Sequence, residues 1–318
     1  MELDSTLAGI GLAVVSAAAL SGGNLLQGRG VRVMEDDAAR GIDGSKLIHL
    51  VRNHFWLLGG LLLIVAIVLQ MGSLTLAPLM IVQPIGVAAL VFTVLLTAFA
   101  AKRRPSAAVV TAIAVCVFGV AAFVTVAALV STQHPISDMQ LIAVLVVLVS
   151  VLLATGLVLL VGRSRPTPPV FWVLLGGVYS AFVATLGKTV IMRVQAAFAS
   201  HSFPFDVANL LTIGCIIGIG VAGALSIYFV QRAHESNRAD VVVAGLTVVD
   251  PAVAVVLGIT ILGEASAAPG WAILVFVAAG AVSIGGVFAL SRAESAVSAD
   301  TTESAAGAES TDGAGLRS

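Results

Sequence analysis

The stretch HFWLLGGLLLIVAIVLQMGSLTLAPLMIVQPIGVAALVFTVLLTAFAA, residues 54–101, decides the fold of this chain. A helix needs about 20 consecutive apolar residues to cross a bilayer. The 48-residue block is therefore long enough for two spans, and the polar Ser73–Thr75 stretch and Pro78 lie where the chain turns between them. Barrel strands would be shorter and would alternate polar with apolar positions. The block predicts two membrane-spanning helices.

The rest of the chain has the same character. Of its 318 residues, 59% are hydrophobic and only 10% are charged, far from the composition of a soluble domain. Nine long apolar stretches predict an all-α membrane protein with nine transmembrane helices. The predicted spans are Thr6–Gln27, Phe55–Leu76, Leu79–Ala100, Ala107–Val130, Gln140–Val161, Val170–Ile191, Leu210–Val230, Val241–Leu262 and Trp271–Leu290, numbered 1 to 9 below.

Basic residues in the links between spans predict the orientation, because short cytoplasmic loops carry an excess of Lys and Arg. Fourteen of the sixteen basic residues fall in the links 1–2, 3–4, 5–6 and 7–8 and in the tail. The exceptions are Arg193, on the opposite side, and Lys188, inside span 6. We therefore expect a multi-pass protein of the cell membrane with an external N-terminus and a cytoplasmic C-terminus.

Several classes of function are not expected. No phosphate-binding glycine loop, His/Cys metal spacing or Gly-x-Ser-x-Gly turn occurs, so the chain is not expected to be an enzyme or to hold a cofactor or metal. Nucleic acid is not expected as a partner. The acidic start Met-Glu-Leu-Asp lacks the basic region of a cleaved signal peptide. Cys116 and Cys215 lie within spans and suggest no disulfide.

An internal repeat relates the two parts of the chain. Ser16-Ala17, Gly23, Asn24 and Arg29 match Ser180-Ala181, Gly187, Lys188 and Arg193 at an offset of 164. A rival register, offset 167, aligns residues 82–84 with residues 249–251 and needs an insertion. Spans 1–4 pair with spans 6–9, so each span matches the one five places later in the chain. Because five is odd, the two members of each pair cross the membrane in opposite directions.

The repeat predicts an inverted-repeat transporter bundle of four plus five helices. Its units are residues 1–130 (spans 1–4, with a cytoplasmic loop at 28–54) and residues 131–291 (spans 5–9). A disordered cytoplasmic tail is expected at 292–318, because that segment is rich in Ser, Ala, Thr and acidic residues.

At these residues the chain resembles the drug/metabolite transporter superfamily, which includes the EamA-like permeases. The likeness rests on the nine spans, the repeat and the spacing from Pro251 to Gly263-Glu264. Within that superfamily, residues 76–78 and 81–86, Tyr228 and the Val241–Val243 run are similar to the NIPA magnesium transporters. The NIPA pattern has a Gly-Glu pair where Ile67 stands here, so an intramembrane carboxylate is missing.

Asp250 is the sharpest candidate for a functional residue. It lies near the middle of span 8, where an unpaired carboxylate costs several kcal/mol, so it is a candidate proton carrier, cation ligand or substrate contact. Lys188 in span 6 is close enough in depth to form an ion pair with Asp250, or else its amine reaches the external interface. Packing with a hydrogen-bonded or protonated Asp250 is the alternative to a functional role.

The remaining candidates are polar or aromatic side chains and helix-breaking prolines. The amides could bind substrate, although joining helices is the commoner role of such residues, and the tyrosines could be interfacial anchors. These candidates are Asn24, Gln27, Gln70, Gln83, Tyr179 and Tyr228, with Pro84 and Pro251 beside the expected site. Glu264 is expected to be solvated at the external end of span 8, and Gly214, Gly218 and Gly223 are expected to serve packing.

These features predict a secondary transporter that moves a small solute by alternating access, with a proton or a cation as the coupling ion. Its partners would be that solute or ion and the lipid bilayer, and a homodimer is left open. One alternative is a transporter of magnesium or another divalent cation of the NIPA type. The other is a membrane protein that does not transport and instead binds lipids or scaffolds a complex.

Overall fold

The computed structural model describes residues 2–39, 53–102, 104–132, 136–162, 168–200, 207–237 and 239–315, and their regular structure is helical. Nine helical spans in this part of the chain are long and apolar enough to cross a membrane, which confirms the predicted all-α architecture. The helices are Glu2–Ala39 (span 1), His54–Leu76 (span 2), Leu79–Gly86 and Ala88–Ala100 (span 3), Ala107–Val130 (span 4), Asp138–Val161 (span 5), Pro169–Ser200 (span 6), Val207–Ser236 (span 7), Ala239–Thr260 (span 8) and Gly270–Gly315 (span 9).

Four helices extend clearly beyond their predicted ends, and of these spans 6 and 7 continue to Ser200 and Ser236. Span 1 continues to Ala39, so the first part of the expected loop at 28–54 is helical, while residues 40–52 lie outside the described part. The helix of span 9 continues to Gly315, where the composition predicts a disordered tail.

The helical hydrogen bonding of span 3 is interrupted at Val87, although the backbone there stays in the α region (φ −59°, ψ −28°). Pro84 lies inside its first helix, and its ring removes a backbone donor and crowds the preceding turn. The helix ends at Gly86, the N–H of Val87 donates to the carbonyl of Pro84 over 3.2 Å, and a second helix begins at Ala88. Every residue from Leu79 to Ile85 is buried, so this short helix forms part of the core.

The spans pack in a regular pattern of neighbours. Span 1 lies along spans 2 and 3, and span 6 lies along spans 7 and 8. Span 4 packs along span 9, and the first helix of span 3 packs on span 8. Span 5 lies against span 7, with lesser contact to span 6. Large buried side chains from spans 3 and 6 make up much of the core between these elements.

Glycines allow a close helix crossing between spans 4 and 9. A Cβ atom added at Gly119 would lie 2.5 Å from the backbone nitrogen of Ser283, and one added at Gly286 would lie 2.5 Å from that of Cys116. Side chains are too large for such a contact, so the backbones of the two helices touch directly.

The predicted packing role of the glycines in span 7 is confirmed. Added Cβ atoms at Gly214, Gly218 and Gly223 would meet side chains of spans 5 and 6 at 3.1–3.8 Å. These distances show ordinary to tight helix packing through small residues.

Candidate functional site

Asp250 lies at the interface of spans 6 and 8. The hydroxyl of Ser180 donates a hydrogen bond to Asp250 Oδ2 over 2.6 Å. The other carboxyl oxygen, Oδ1, is buried and has no hydrogen-bond partner among the residues that the structure describes. The helices come this close because Gly177 has no side chain: a Cβ there would lie 2.7 Å from Val249 Cβ. A buried oxygen without a partner is rare in folded proteins, and it marks a position that can take a proton or a ligand.

The two prolines of the sequence-predicted site line one groove. Pro84 of span 3 and Pro251 of span 8 belong to the wall of a cavity of about 640 Å³ between spans 3, 4, 8 and 9. Its lining is apolar except for Thr247 and Ser283. Gln83, which precedes Pro84, is only 8% exposed. Gln83 and Asp250, which precede these prolines, are not among the residues that line the cavity, so the prolines but not the two polar side chains face it.

A second polar cluster lies near one end of the bundle, where the links 2–3, 4–5 and 8–9 meet. Lys188 Nζ lies 2.5 Å from Glu264 Oε1 and donates to the carbonyl of Ala77 over 3.3 Å. The backbone N–H groups of Leu79 and Met80 donate to Glu264 Oε1 and Oε2 over 2.7 and 2.8 Å. We call these five groups the external cluster, after the end of the bundle that the charge pattern predicts to be external.

The external cluster corrects two predictions. Glu264 was expected to be solvated, but it is 2% exposed. Lys188 was expected to pair with Asp250 or to reach the interface, but it is 1% exposed and pairs with Glu264 instead. The physical reason is that the 8–9 loop folds back over the bundle and brings a carboxylate to the free N–H groups of a helix start, where negative charge is favoured.

Local backbone geometry positions Glu264. Gly263 has a φ of +70°, a left-handed conformation that costs other residues about 1–2 kcal/mol. The N–H of Glu264 then donates to the carbonyl of Gly258 over 3.1 Å, and its own carbonyl accepts from the N–H of Thr132 over 2.9 Å. A Cβ at Gly258 would lie 2.8 Å from Glu264 Oε2, so the carboxylate occupies the space that a side chain would fill. The Gly-Glu pair is therefore a structural unit.

The other predicted site residues lie apart from this cluster. Asn24 is exposed on span 1, and Gln27 packs against Gly59 of span 2, whose added Cβ would lie 2.8 Å from Gln27 Cγ. Gln70 is partly buried on span 2. These amides lie on the spans of the first half, and the contacts of Gln27 are those of helix packing.

The two tyrosines occupy different environments. Tyr179 is fully buried, donates to Thr155 Oγ1 of span 5 over 3.0 Å, and stacks on Phe229 at a centroid distance of 5.5 Å. Tyr228 is 49% exposed and contacts the edge of the same phenylalanine. Tyr179 therefore joins spans 5, 6 and 7, while Tyr228 lies toward the bundle surface.

Sequence reasoning missed one partner in each cluster. Ser180 was noticed only as a match to Ser16 in the repeat, although a hydroxyl on a helix that could adjoin span 8 was a signal for a partner of Asp250. Glu264 was matched only by resemblance, and its distance of 76 positions from Lys188 gives no local signal. Among the described residues, no three His, Cys, Asp or Glu side chains gather closely enough to hold a metal ion.

Comparison with known proteins adds no identification. No protein-family model, no curated protein and no solved structure matches this chain.

Proposed function

We propose that the protein is a secondary transporter that moves a small solute by alternating access, with Asp250 as the group that exchanges a proton or binds a coupling cation. The observation that carries the proposal is that Asp250 Oδ1 is buried and has no hydrogen-bond partner among the described residues, within a helix that is apolar enough to cross a membrane. A carboxyl in that position is expensive for a protein that only needs to pack, because an apolar residue would fill the space without the desolvation cost.

The pattern of neighbouring spans supports an inverted repeat of spans 1–4 and 6–9. Pairing each span with the one five places later converts the contacts 1–2, 1–3 and 3–4 into 6–7, 6–8 and 8–9, all of which occur. Spans 3 and 8, and spans 4 and 9, each contact their own counterpart, as elements beside a two-fold axis do. Span 5 is then the additional helix of the four-plus-five arrangement.

The crossing of spans 4 and 9 supports the same relation at the level of single residues. Adding 167 to Cys116 and Gly119 gives Ser283 and Gly286, and the close contacts pair Cys116 with Gly286 and Gly119 with Ser283. The offset therefore converts each of these two contacts into the other, as a two-fold relation between spans 4 and 9 requires. For spans 4 and 9 these contacts favour the rival register of 167 over the preferred offset of 164.

Prolines within spans 3 and 8 support the placing of the transport site at the centre. In transporters with inverted repeats, discontinuous helices near the repeat interface supply the site, because interrupted backbone offers polar groups to a solute. Span 3 is interrupted after Pro84, and Pro251 removes the donor that would bond the carbonyl of Thr247. Protonation of Asp250 would change its bond with Ser180 and so bias the packing of span 8 on span 6.

The decisive experiment compares Asp250→Asn with the wild type. Purified protein is first screened by thermal shift against divalent cations, amino acids, nucleotides and cationic drugs, and the stabilising solute is then used for uptake by proteoliposomes. We expect Asp250→Asn to abolish uptake while the protein inserts and purifies as the wild type. Asp138→Asn is the matched control, since Asp138 is an exposed carboxylate at the start of span 5. Wild-type uptake by Asp250→Asn would disprove the role of Asp250.

The same screen addresses the alternative of a divalent-cation transporter, for which metal ions alone should stabilise the protein. Water access addresses the alternative of a lipid-binding or scaffold protein. A cysteine at position 180, in a background with Cys116 and Cys215 replaced by alanine, should react with a membrane-impermeant thiol reagent from one side if a transport pathway reaches Asp250. No reaction from either side would favour the alternative without transport. The proposal also includes three further points. The protein belongs to the drug/metabolite transporter superfamily, it lies in the cell membrane, and its N-terminus is external.

A further inference from the structure

We infer that the external cluster is the contact that closes the transport pathway at the external end, and that it breaks as a unit when the protein opens outward. The inference rests on the proposed function, since it assigns one step of the alternating-access cycle to named residues. It names a conformational element that is separate from the central site at Asp250.

The contacts of the cluster join the two halves of the chain. Ala77, Leu79 and Met80 belong to the first half, and each is bonded to Lys188 or Glu264 of the second half. Three hydrogen bonds thus converge on the turn between spans 2 and 3, and the ion pair within the second half holds their two side chains together. Moving the 8–9 loop or span 6 away from this turn requires that these bonds break.

Burial makes the contact two-state. A buried ion pair is stable only with a complete set of partners, because each desolvated charge costs several kcal/mol when it is left alone. If the two side chains separated only partly, the ammonium of Lys188 and the carboxylate of Glu264 would lose their ion pair before water could hydrate either charge. The cluster is therefore either fully formed or fully hydrated, as expected of an element that switches between discrete states.

The helices that carry the cluster also carry the central site. Lys188 follows Ser180 by eight residues on span 6, about 12 Å along the helix. Glu264 follows Asp250 after the end of span 8. A change in the packing of spans 6 and 8 around Asp250 therefore acts on both sides of the Lys188–Glu264 pair. In the structure the pair is formed, so this conformation is the one closed at the external end.

The test measures the distance between the two halves at the external end by electron–electron double resonance. Spin labels are placed at Leu7 of span 1, which is 56% exposed, and at Ala267 in the 8–9 loop, which is also exposed. We expect one distance population in the wild type and a second, longer population in both Glu264→Gln and Lys188→Gln. Glu264→Asp keeps the charge on a shorter side chain and should give a smaller share of the longer population.

The control is Asp138→Asn, which breaks an ion pair with Arg193 at the same end but within the second half. It should leave the distance distribution unchanged. All variants are measured as monodisperse protein, so that opening is distinguished from unfolding. A wild-type distribution in Glu264→Gln or Lys188→Gln, or the longer population in Asp138→Asn, would overturn the inference. Because the distance measurement needs no solute, wild-type uptake by Asp250→Asn would refute the role proposed for Asp250 without altering this result.

Discussion

Replacement of Gly286 by alanine should destabilise the protein, and the adjacent Gly285 provides the matched control. The new Cβ at position 286 would lie 2.5 Å from the backbone nitrogen and 2.6 Å from the Cα of Cys116. These are backbone atoms, so relief requires that spans 4 and 9 move apart along their contact. Overpacking of this kind costs about 1–3 kcal/mol. At Gly285 an added Cβ meets nothing within 4 Å, and alanine should gain up to about 1 kcal/mol from helix propensity.

The two variants should therefore differ by about 1–4 kcal/mol in the free energy of unfolding. Thermal unfolding of detergent-purified protein, followed by the loss of the monodisperse peak, measures the order of the midpoints: Gly286→Ala below wild type and Gly285→Ala at or above it. Gly119→Ala should resemble Gly286→Ala, because its Cβ meets the backbone of Ser283 at the same distance. Equal midpoints for the alanine variants at 285 and 286 would refute the direct backbone contact of spans 4 and 9.

Three further variants test the external cluster and the core by the same unfolding measurement. Glu264→Gln should cost about 3–5 kcal/mol, because it leaves Lys188 buried without its partner, whereas Asp138→Asn removes an exposed pair and should cost about 0–1 kcal/mol; equal losses would contradict the burial of the pair. Gly263→Ala should cost about 1–2 kcal/mol from its positive φ alone, and an unchanged midpoint would exclude that conformation. Tyr179→Phe should cost about 1 kcal/mol through its lost bond to Thr155, an effect that should vanish in a Thr155→Val background.

The nine spans could be predicted because a bilayer imposes one simple requirement on every segment that crosses it: length and continuous apolarity. The break in span 3 was indicated less directly. Pro84 was recognised as a residue that disturbs the helix, but the sequence does not say whether a proline bends a helix or ends it. That outcome depends on packing against span 8, which involves residues distant in the chain.

The candidate site could be predicted only where a residue is costly by itself. Asp250 stands out because any carboxylate in the middle of a span requires an explanation. Glu264 does not, because its burial depends on the course of the 8–9 loop and on N–H groups that the turn at Pro78 leaves free. Lys188 was recognised as unusual, but the choice between Asp250 and Glu264 as its partner required the tertiary structure.

The short helix Leu79–Gly86 connects the external cluster to the middle of span 3. This helix has eight residues and is about 12 Å long. Its first N–H groups donate to the carboxylate of Glu264, and its other end lies at the interruption at Val87. If Glu264 moves away, the helix loses the hydrogen bonds that hold its first turn, and we expect the amide of Gln83 near its other end to move with it. Hydration of the 8–9 loop would therefore reach Gln83 through this one short helix.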